Sequence, residues 1–339
     1  MARVTINDVA KEAGVSKATV SYVLSGSTVI AEKTAQKVRA AAEKLGYSVN
    51  HAARMLATDR TNAIGVFAPP HRAGFFSLSF GGYLYSLSAS ARKAGYDTML
   101  FTDEDGTSLL RKAVQTKRID GAVLMEVASH DPRIELVKEL GLPAVTLGMN
   151  GKDCGVDAVD TDFESAARML VDNLADHGHT NVLLIGWPKW MYDKAMNYVI
   201  RFRDAAMEEV ARLGMTMNMV YSQDETLGSA QEISEALRRF PEATAMIIHN
   251  DAAVVSAAQT LREYGVEVPR DISVEVVVPD QMGVGMRIPY TGVNIGLDAV
   301  AERVMEVLCR RIENPERPAV REFVRHPLVD LHSVRNLNQ

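Results

Sequence analysis

Eight short apolar runs, separated by stretches with helical spacing, constrain this 339-residue chain more than any other feature. They read AIGVFA (63–68), DTMLFT (97–102), GAVLME (121–126), PAVTLG (143–148), NVLLIG (181–186), NMVYS (218–222), AMIIHN (245–250) and SVEVVV (273–278). Runs this continuous do not suit a sheet with one wet face. Strand–helix alternation of this kind gives parallel sheets covered by helices on both sides. The spacing predicts helices over 78–94, 129–140, 163–177, 198–213, 228–240 and 252–264. A chain this long exceeds what one core supports, so more than one domain is expected.

Residues 1–47 follow a different pattern. Ile6, Val9, Ala10 and Ala13 recur at helical spacing, as do Val20, Val23 and Leu24, with Gly14-Val15-Ser16 between them. Gly14 can take the left-handed conformation that ends one helix, and Ser16 can cap the next. A third helix over 32–45 brings Ala35, Val38, Ala41, Ala42 and Leu45 to a small core. This is a helix-turn-helix pattern. The outward face of its second helix carries Lys17, Ala18, Ser21 and Tyr22, with Thr19 beside them. In such a motif the first residues of the second helix reach base edges in the major groove, and hydroxyls meet phosphates. A three-helix cap that only packs on the rest of the chain is the plainer alternative, but it needs neither a polar first turn nor a basic balance.

Charge supports the DNA reading. Residues 1–60 hold nine Lys/Arg against five Asp/Glu, a balance of +4, and the remainder holds 28 against 38, or −10, giving the total of −6. A basic module that meets an anion therefore precedes an acidic one that does not. In YSVNHAARMLATDRT (47–61), Asn50 is a good N-cap, and Ala52, Ala53, Met55, Leu56 and Ala57 favour helix. A helix so short persists only when something covers it, and an ordinary linker is the alternative.

Other chemistries lack their signatures. There is no GxSxG, P-loop, HExxH or CxxC; Gly283-Val284-Gly285 lacks the third glycine and the strand-to-helix setting of a dinucleotide fingerprint. His177 and His179 have metal-like spacing in DHGHTN, but no cofactor or metal is expected. Cys154 and Cys309 lie far apart and are expected to be reduced thiols. Without a charged-then-apolar leader or an apolar run near ~20 residues, the expectation is a soluble cytoplasmic chain with no membrane partner.

The stretches TINDVAKEAGVSKATVSYVLSG and KVRAAAEKLGYSVNHAARMLAT resemble the DNA-binding head and hinge of the LacI/GalR (lactose-repressor) family of bacterial transcription regulators, and the similarity continues at a lower level along the chain. The resemblance implies an α/β fold: a three-helix helix-turn-helix head and hinge helix, then two doubly wound lobes of periplasmic-binding-protein type. It implies a head at 1–47, a hinge helix and linker at 48–61, a first lobe from 62–160 with 291–322, and a second lobe from 161–290 with 323–339. It further implies a homodimer, or a dimer of dimers, on near-palindromic operator double-stranded DNA. Lys17, Ala18 and Tyr22 fall on the family's base-reading positions, and Thr5, Ser16, Thr19 and Ser21 on its phosphate-contacting ones. Asn50, His51, Ala53 and Arg54 fall in the hinge helix, and Leu56 matches a leucine that wedges into the minor groove. Tyr22 stands where arginine is usual, so a bidentate guanine contact worth ~1–3 kcal/mol is absent there. Ala31 replaces the usual N-cap serine of the third helix, at a cost of about 1 kcal/mol.

Ligands of open parallel sheets bind at the carboxyl ends of strands, which puts a small-molecule effector in the cleft between the lobes. Residues just after strands are the candidates: Pro69, Phe75, Phe76, Glu126, Trp187, Trp190, Asn250 and Asp251. The Asn250-Asp251 pair and Asp162 also match family positions, although both Asn250 and Asp162 precede helices and suit N-capping equally well. Where sugar-binding relatives carry R-x-x-G-F, this chain puts Tyr198 at the arginine and Arg201 at the glycine. Asp280 is a shifted counterpart of the family's acidic loop, and Gly296 stands where a polar ligand contact is common. A sugar would then be gripped through the rings of Trp187, Trp190 and Tyr198 rather than by a bidentate arginine. Two alternatives to an effector-controlled repressor stand beside it: a regulator or architectural DNA binder without an effector, and a solute-binding protein with a vestigial head.

Overall fold

A computed structural model describes residues 4–24, 30–47, 60–69, 77–102, 106–151, 154–222, 229–279 and 290–338. The chain divides into two units, Met1–Thr61 and Asn62–Gln339.

In the first unit, α1 (Ile6–Ala13) and α2 (Lys17–Leu24) are separated by a single tight turn, and α3 (Glu32–Leu45) follows. Gly14 ends α1 with φ +65°, a conformation that glycine adopts without steric cost. Val9, Val20 and Val38, one from each helix, are fully buried and meet in a small core with Ala35, Ala41 and Ala42. Ala31 sits at the N-cap of α3 without a side-chain hydrogen bond.

The second unit contains two six-stranded sheets. Its elements run β1 (Ala63–Ala68), α4 (Leu78–Lys93), β2 (Asp97–Thr102), α5 (Ser108–Gln115), β3 (Gly121–Leu124), α6 (Pro132–Glu139), β4 (Ala144–Leu147), β5 (Asp157–Thr161), α7 (Phe163–Asp176), β6 (Asn181–Gly186), α8 (Lys189–Asp193) and α9 (Asn197–Arg212). There follow β7 (Thr216–Tyr221), α10 (Ser229–Arg239), β8 (Ala245–Ile248), α11 (Asp251–Glu263), β9 (Ser273–Val278), β10 (Thr291–Asn294), α12 (Leu297–Glu313), β11 (Arg321–Val324) and β12 (Leu328–Val329). The sheet orders are β11-β5-β4-β3-β1-β2 and β12-β10-β9-β8-β6-β7.

Alternate residues of one central strand feed different cores, which explains why the central runs are largely apolar. In the first sheet Ile64, Val66 and Val123 pack with Leu87 of α4 and Val304 of α12. Phe67, Ala122 and Leu124 face the other way, onto Leu110 of α5 and Ile134 of α6. The second sheet repeats the scheme: Val182 and Leu184 meet α7 and α9, while Leu183 and Ile185 meet Ile233 of α10 and Leu261 of α11. Burying both faces of a strand in this way stabilises each large side chain by about 1.5–3 kcal/mol relative to exposure.

Two expectations shift. Thr291–Asn294 was expected in the first lobe, but β10 pairs with β9 in the second sheet, so the chain crosses after Asn294; it crosses again after Val324 rather than at 322. The second sheet is also not wholly parallel, because β12 runs antiparallel to β10 at its edge. Among the described residues no helix is long and apolar enough to cross a membrane.

Candidate functional site

The first candidate surface is on α2. Ser16 accepts the Thr19 amide through its Oγ at 3.1 Å, a side-chain cap that fixes the start of the helix. Asp8 does comparable work for α1, accepting from the Thr5 amide at 2.8 Å and the Thr5 hydroxyl at 2.7 Å. Those hydrogen bonds from Thr5 hold its carboxyl below the usual carboxylate value. With Val20 and Val23 turned inward, Lys17, Ala18, Ser21 and Tyr22 share the exposed face, and Thr19 is partly buried beside them. Tyr22 is 56% exposed, a large amount for a tyrosine on a helix this short. Thr5 and Ser16 are exposed at the starts of α1 and α2. The hinge residues Asn50, His51, Ala53, Arg54 and Leu56 lie outside the described residues.

The second site is a cavity between the two sheets of the second unit. Its void is about 730 Å³ including the open mouth. The first sheet supplies Ser77, Ser79, Phe80 and Tyr83 from the start of α4, Met125, Glu126 and Val127 after β3, Leu147 and Gly148 at the end of β4, and Asp160 in β5. From the other side come Phe163, Trp187, Asn197, Tyr198, His249, Asp251, Val277 and Ile295. Nearly all lie at strand carboxyl ends or helix amino ends, as doubly wound sheets dictate.

Hydrogen bonds cross the cavity walls. Asp251 Oδ2 accepts from Ser77 Oγ at 2.8 Å and from the Ser79 amide at 2.9 Å. The Asn197 amide side chain donates to the Met149 carbonyl, and its Oδ1 accepts from Ser129 Oγ at 2.8 Å. Arg201 reaches from α9 to Asp160 and Glu164. Burial raises the Asp160 carboxyl, and Arg201 opposes that rise.

Three buried polar atoms in this wall have no partner: Trp187 Nε1, His249 Nδ1 and Asp251 Oδ1. An unsatisfied buried donor or acceptor costs about 1–3 kcal/mol, so a ligand that satisfies it recovers that cost. Burial pushes His249 down to about 3, which leaves the imidazole neutral. Its ring stacks on Phe202 at 3.9 Å between centroids and meets Trp187 edge-on at 6.1 Å. Trp187 also meets Tyr198 edge-on at 5.6 Å. Burial pushes Glu126 up to about 7, against the pull of Arg133 and Lys194. Its backbone lies at φ +51°, unusual for a residue other than glycine, and Arg133 pins the loop from behind by donating to the Met125 carbonyl at 2.8 Å.

Of the residues expected at the cleft, Glu126, Trp187, Tyr198 and Asp251 line the cavity, whereas Pro69, Asp162, Trp190 and Asn250 do not. Asn250 caps α11 by accepting the Ala252 and Ala253 amides at 2.8 and 3.2 Å. Asp162 caps α7 through the Ser165 amide at 3.0 Å and pairs with Arg325 at 2.7 Å. Trp190 lies under Lys194 Nζ, 5.3 Å from its ring centroid. Gly296 also lies off the cavity wall; at φ +58° it sits against the His326 imidazole, where any side chain would collide. Phe75, Phe76 and Asp280 are outside the described residues. His249, Asn197, Asp160, Phe163 and the Ser77–Ser79 pair were not foreseen as lining residues. His249 stands one residue before the pair that was chosen, so only the register of the strand end separates them. His177 and His179 pack: His177 Nδ1 meets the Asn173 carbonyl at 2.7 Å, and His179 bridges Thr244 and the Arg335 carbonyl at 2.8 and 3.2 Å. No cluster that could hold a metal occurs among the described residues.

Comparison with known proteins fits both surfaces. Residues 5–50 match the profile of "Bacterial regulatory proteins, lacI family", and residues 171–334 that of "Periplasmic binding protein-like domain". The chain carries a lacI-family head. It is a DNA-binding transcription regulator. Among lacI-family relatives, Catabolite control protein A of Staphylococcus xylosus is 27% identical over 276 residues, covering 80% of this chain and 81% of that protein. The ribose operon repressor of Escherichia coli (strain K12) is 27% identical over 319 residues, covering 92% and 94%. In fold, the chain is similar to the lac repressor dimer bound to operator and the anti-inducer ONPF, with a TM-score of 0.79, 21% identity, and coverage of 98% of this chain and 100% of that one.

Proposed function

We propose that this lacI-family chain is a repressor that binds a near-palindromic operator as a homodimer and whose operator affinity is set by a small molecule in the interlobe cavity. The observation that carries the DNA half is the single exposed face of α2 holding Lys17, Ala18, Ser21 and Tyr22. In this reading Lys17, Ala18 and Tyr22 meet base edges, while Thr5, Ser16, Thr19 and Ser21 meet phosphates. By the family resemblance residues 48–61 serve as the hinge, with Asn50, His51, Ala53 and Arg54 contributing to it and Leu56 as the wedge. The similarity to a dimer that holds both operator and anti-inducer supports the pairing of these two roles.

Cavity geometry supports the ligand half. Its walls come from both sheets, and Asp251 and Asn197 already make hydrogen bonds across them. A ligand that favours one lobe arrangement shifts the population of that arrangement and, through the hinge, the operator affinity. The coupling is reciprocal: operator alters ligand affinity by the same factor. Action is by binding alone, with no chemical step, in the cytoplasm. Effector contacts in this reading are Glu126, Trp187, Tyr198 and Asp251, joined by His249 and Asn197.

Titration of palindromic duplexes at several salt concentrations tests the DNA half. Specific affinity falls linearly with the logarithm of salt when phosphate contacts contribute. A chain that binds no duplex in dilute buffer contradicts the proposal and leaves solute binding alone.

A further inference from the structure

We infer that the interlobe cavity selects a small organic cation, such as an amino sugar or a quaternary or primary amine, over its neutral counterpart. The inference deepens the proposed effector site and rests on that reading. Its observation is the charge of the wall. Glu126, Asp160 and Asp251 line the cavity, and no lysine or arginine does so among the described residues.

The neighbouring guanidinium groups are already engaged. Arg133 pairs with Asp131 at 2.6 Å behind the loop, and Arg201 is shared by Asp160 and Glu164. One arginine between two carboxylates does not neutralise both. Asp251 is the sharper case: it is 2% exposed, its Oδ2 serves Ser77 and Ser79, and its Oδ1 has no partner. A buried carboxylate with an open lone pair accepts most strongly from a charged donor. The remaining wall is aromatic. Phe163, Trp187 and Tyr198 present rings, and aromatic faces attract cations. His249 stays neutral and does not offset the acids. Burial, then the charges of Glu126 and Asp251, hold the Tyr198 phenol well above its usual value, so it stays neutral. An anionic ligand such as a sugar phosphate meets acidic side chains on this wall and no lysine or arginine among the described lining residues.

The test is calorimetric titration of the full chain with matched pairs: glucosamine against glucose, and choline against 3,3-dimethylbutan-1-ol, with glucose 6-phosphate as the anion. The expected result is that the charged member of at least one pair binds tenfold or more tightly than its neutral partner, and that the anion does not bind. Asp251→Asn and Glu126→Gln keep the side-chain shape, and each is expected to shrink that ratio at least threefold. Thermal unfolding of each variant shows whether it is folded, and the pairwise ratio in the unaltered chain decides the matter if a variant is not. Neutral members binding as tightly as charged ones overturn the inference while leaving the cavity as an effector site. Failure of every compound at millimolar concentration overturns both.

Discussion

At the scale of single residues, the decisive feature is how much chemistry is concentrated on one turn and a half of α2. Tyr22 is exposed where the family resemblance expects arginine, so its phenol cannot form the bidentate contact that guanine favours. Tyr22→Arg is expected to move the base preference at one symmetric pair of operator positions toward guanine, read by selection from random duplexes; an unchanged preference removes Tyr22 from the reading face. Leu56 tests the hinge reading. Leu56→Ala is expected to weaken specific operator binding at least tenfold more than nonspecific binding, because a wedge acts only in the ordered complex. Equal loss on both duplexes, measured by fluorescence anisotropy, contradicts the assignment. Residue-level legibility in the cavity was uneven for a physical reason. Asp251 was recognisable because it follows a strand end directly, whereas Asn250 beside it turned out to cap α11. Sequence alone does not fix which of three consecutive residues after a strand points at the ligand and which at the helix amides.

At the scale of elements, the strands found from sequence were those with continuous apolar side chains, and the one missed within the first five was β5. Its residues DAVDT carry an acid near each end, yet all five are buried. Each acid is compensated from far along the chain. Arg311 holds both oxygens of Asp157, at 2.9 and 3.0 Å, and Arg201 meets Asp160. No local pattern announces a pair 154 residues apart. Arg311→Met is expected to destabilise the second unit by roughly 3–5 kcal/mol, because Asp157 is left buried and uncompensated. Arg311→Met with Asp157→Leu should recover much of that loss in chemical denaturation, and no recovery would show that the pair is not what matters. β9 has the same character. Glu275 is fully buried within SVEVVV, its Oε1 accepts from Asn173 Nδ2 at 2.6 Å, and burial pushes its carboxyl from 4.5 up to about 8. The folded chain therefore keeps a proton that the unfolded chain releases between those values. Its contribution to stability is fully present below 4.5 and is lost as pH rises through 8. Glu275→Gln is expected to flatten this decline, raising the unfolding temperature relative to the unaltered chain at pH 9 but not at pH 5. A parallel shift at both pH values contradicts a protonated Glu275.

At the scale of the whole molecule, two modules of opposite charge divide the work. A head with a balance of +4 carries the DNA-facing helix, and a body with −10 carries an acid-walled cavity built from two sheets. This division was legible from the start: the helix-turn-helix core and the strand–helix alternation follow from periodicity, and the two-lobe fold from the family resemblance. What composition could not convey was where the chain changes sheet, because β10 (TGVN) carries a single large apolar side chain and β12 is only two residues long. The central claim is that the two modules are coupled. Its most direct measurement is selection of bound sequences from random duplexes by the full chain, with and without a small molecule shown to occupy the cavity. The expected result is a near-palindromic consensus whose affinity changes at least fivefold when the molecule is added. Recovery of no consensus at low salt, or of one whose affinity ignores a bound cavity ligand, contradicts the account.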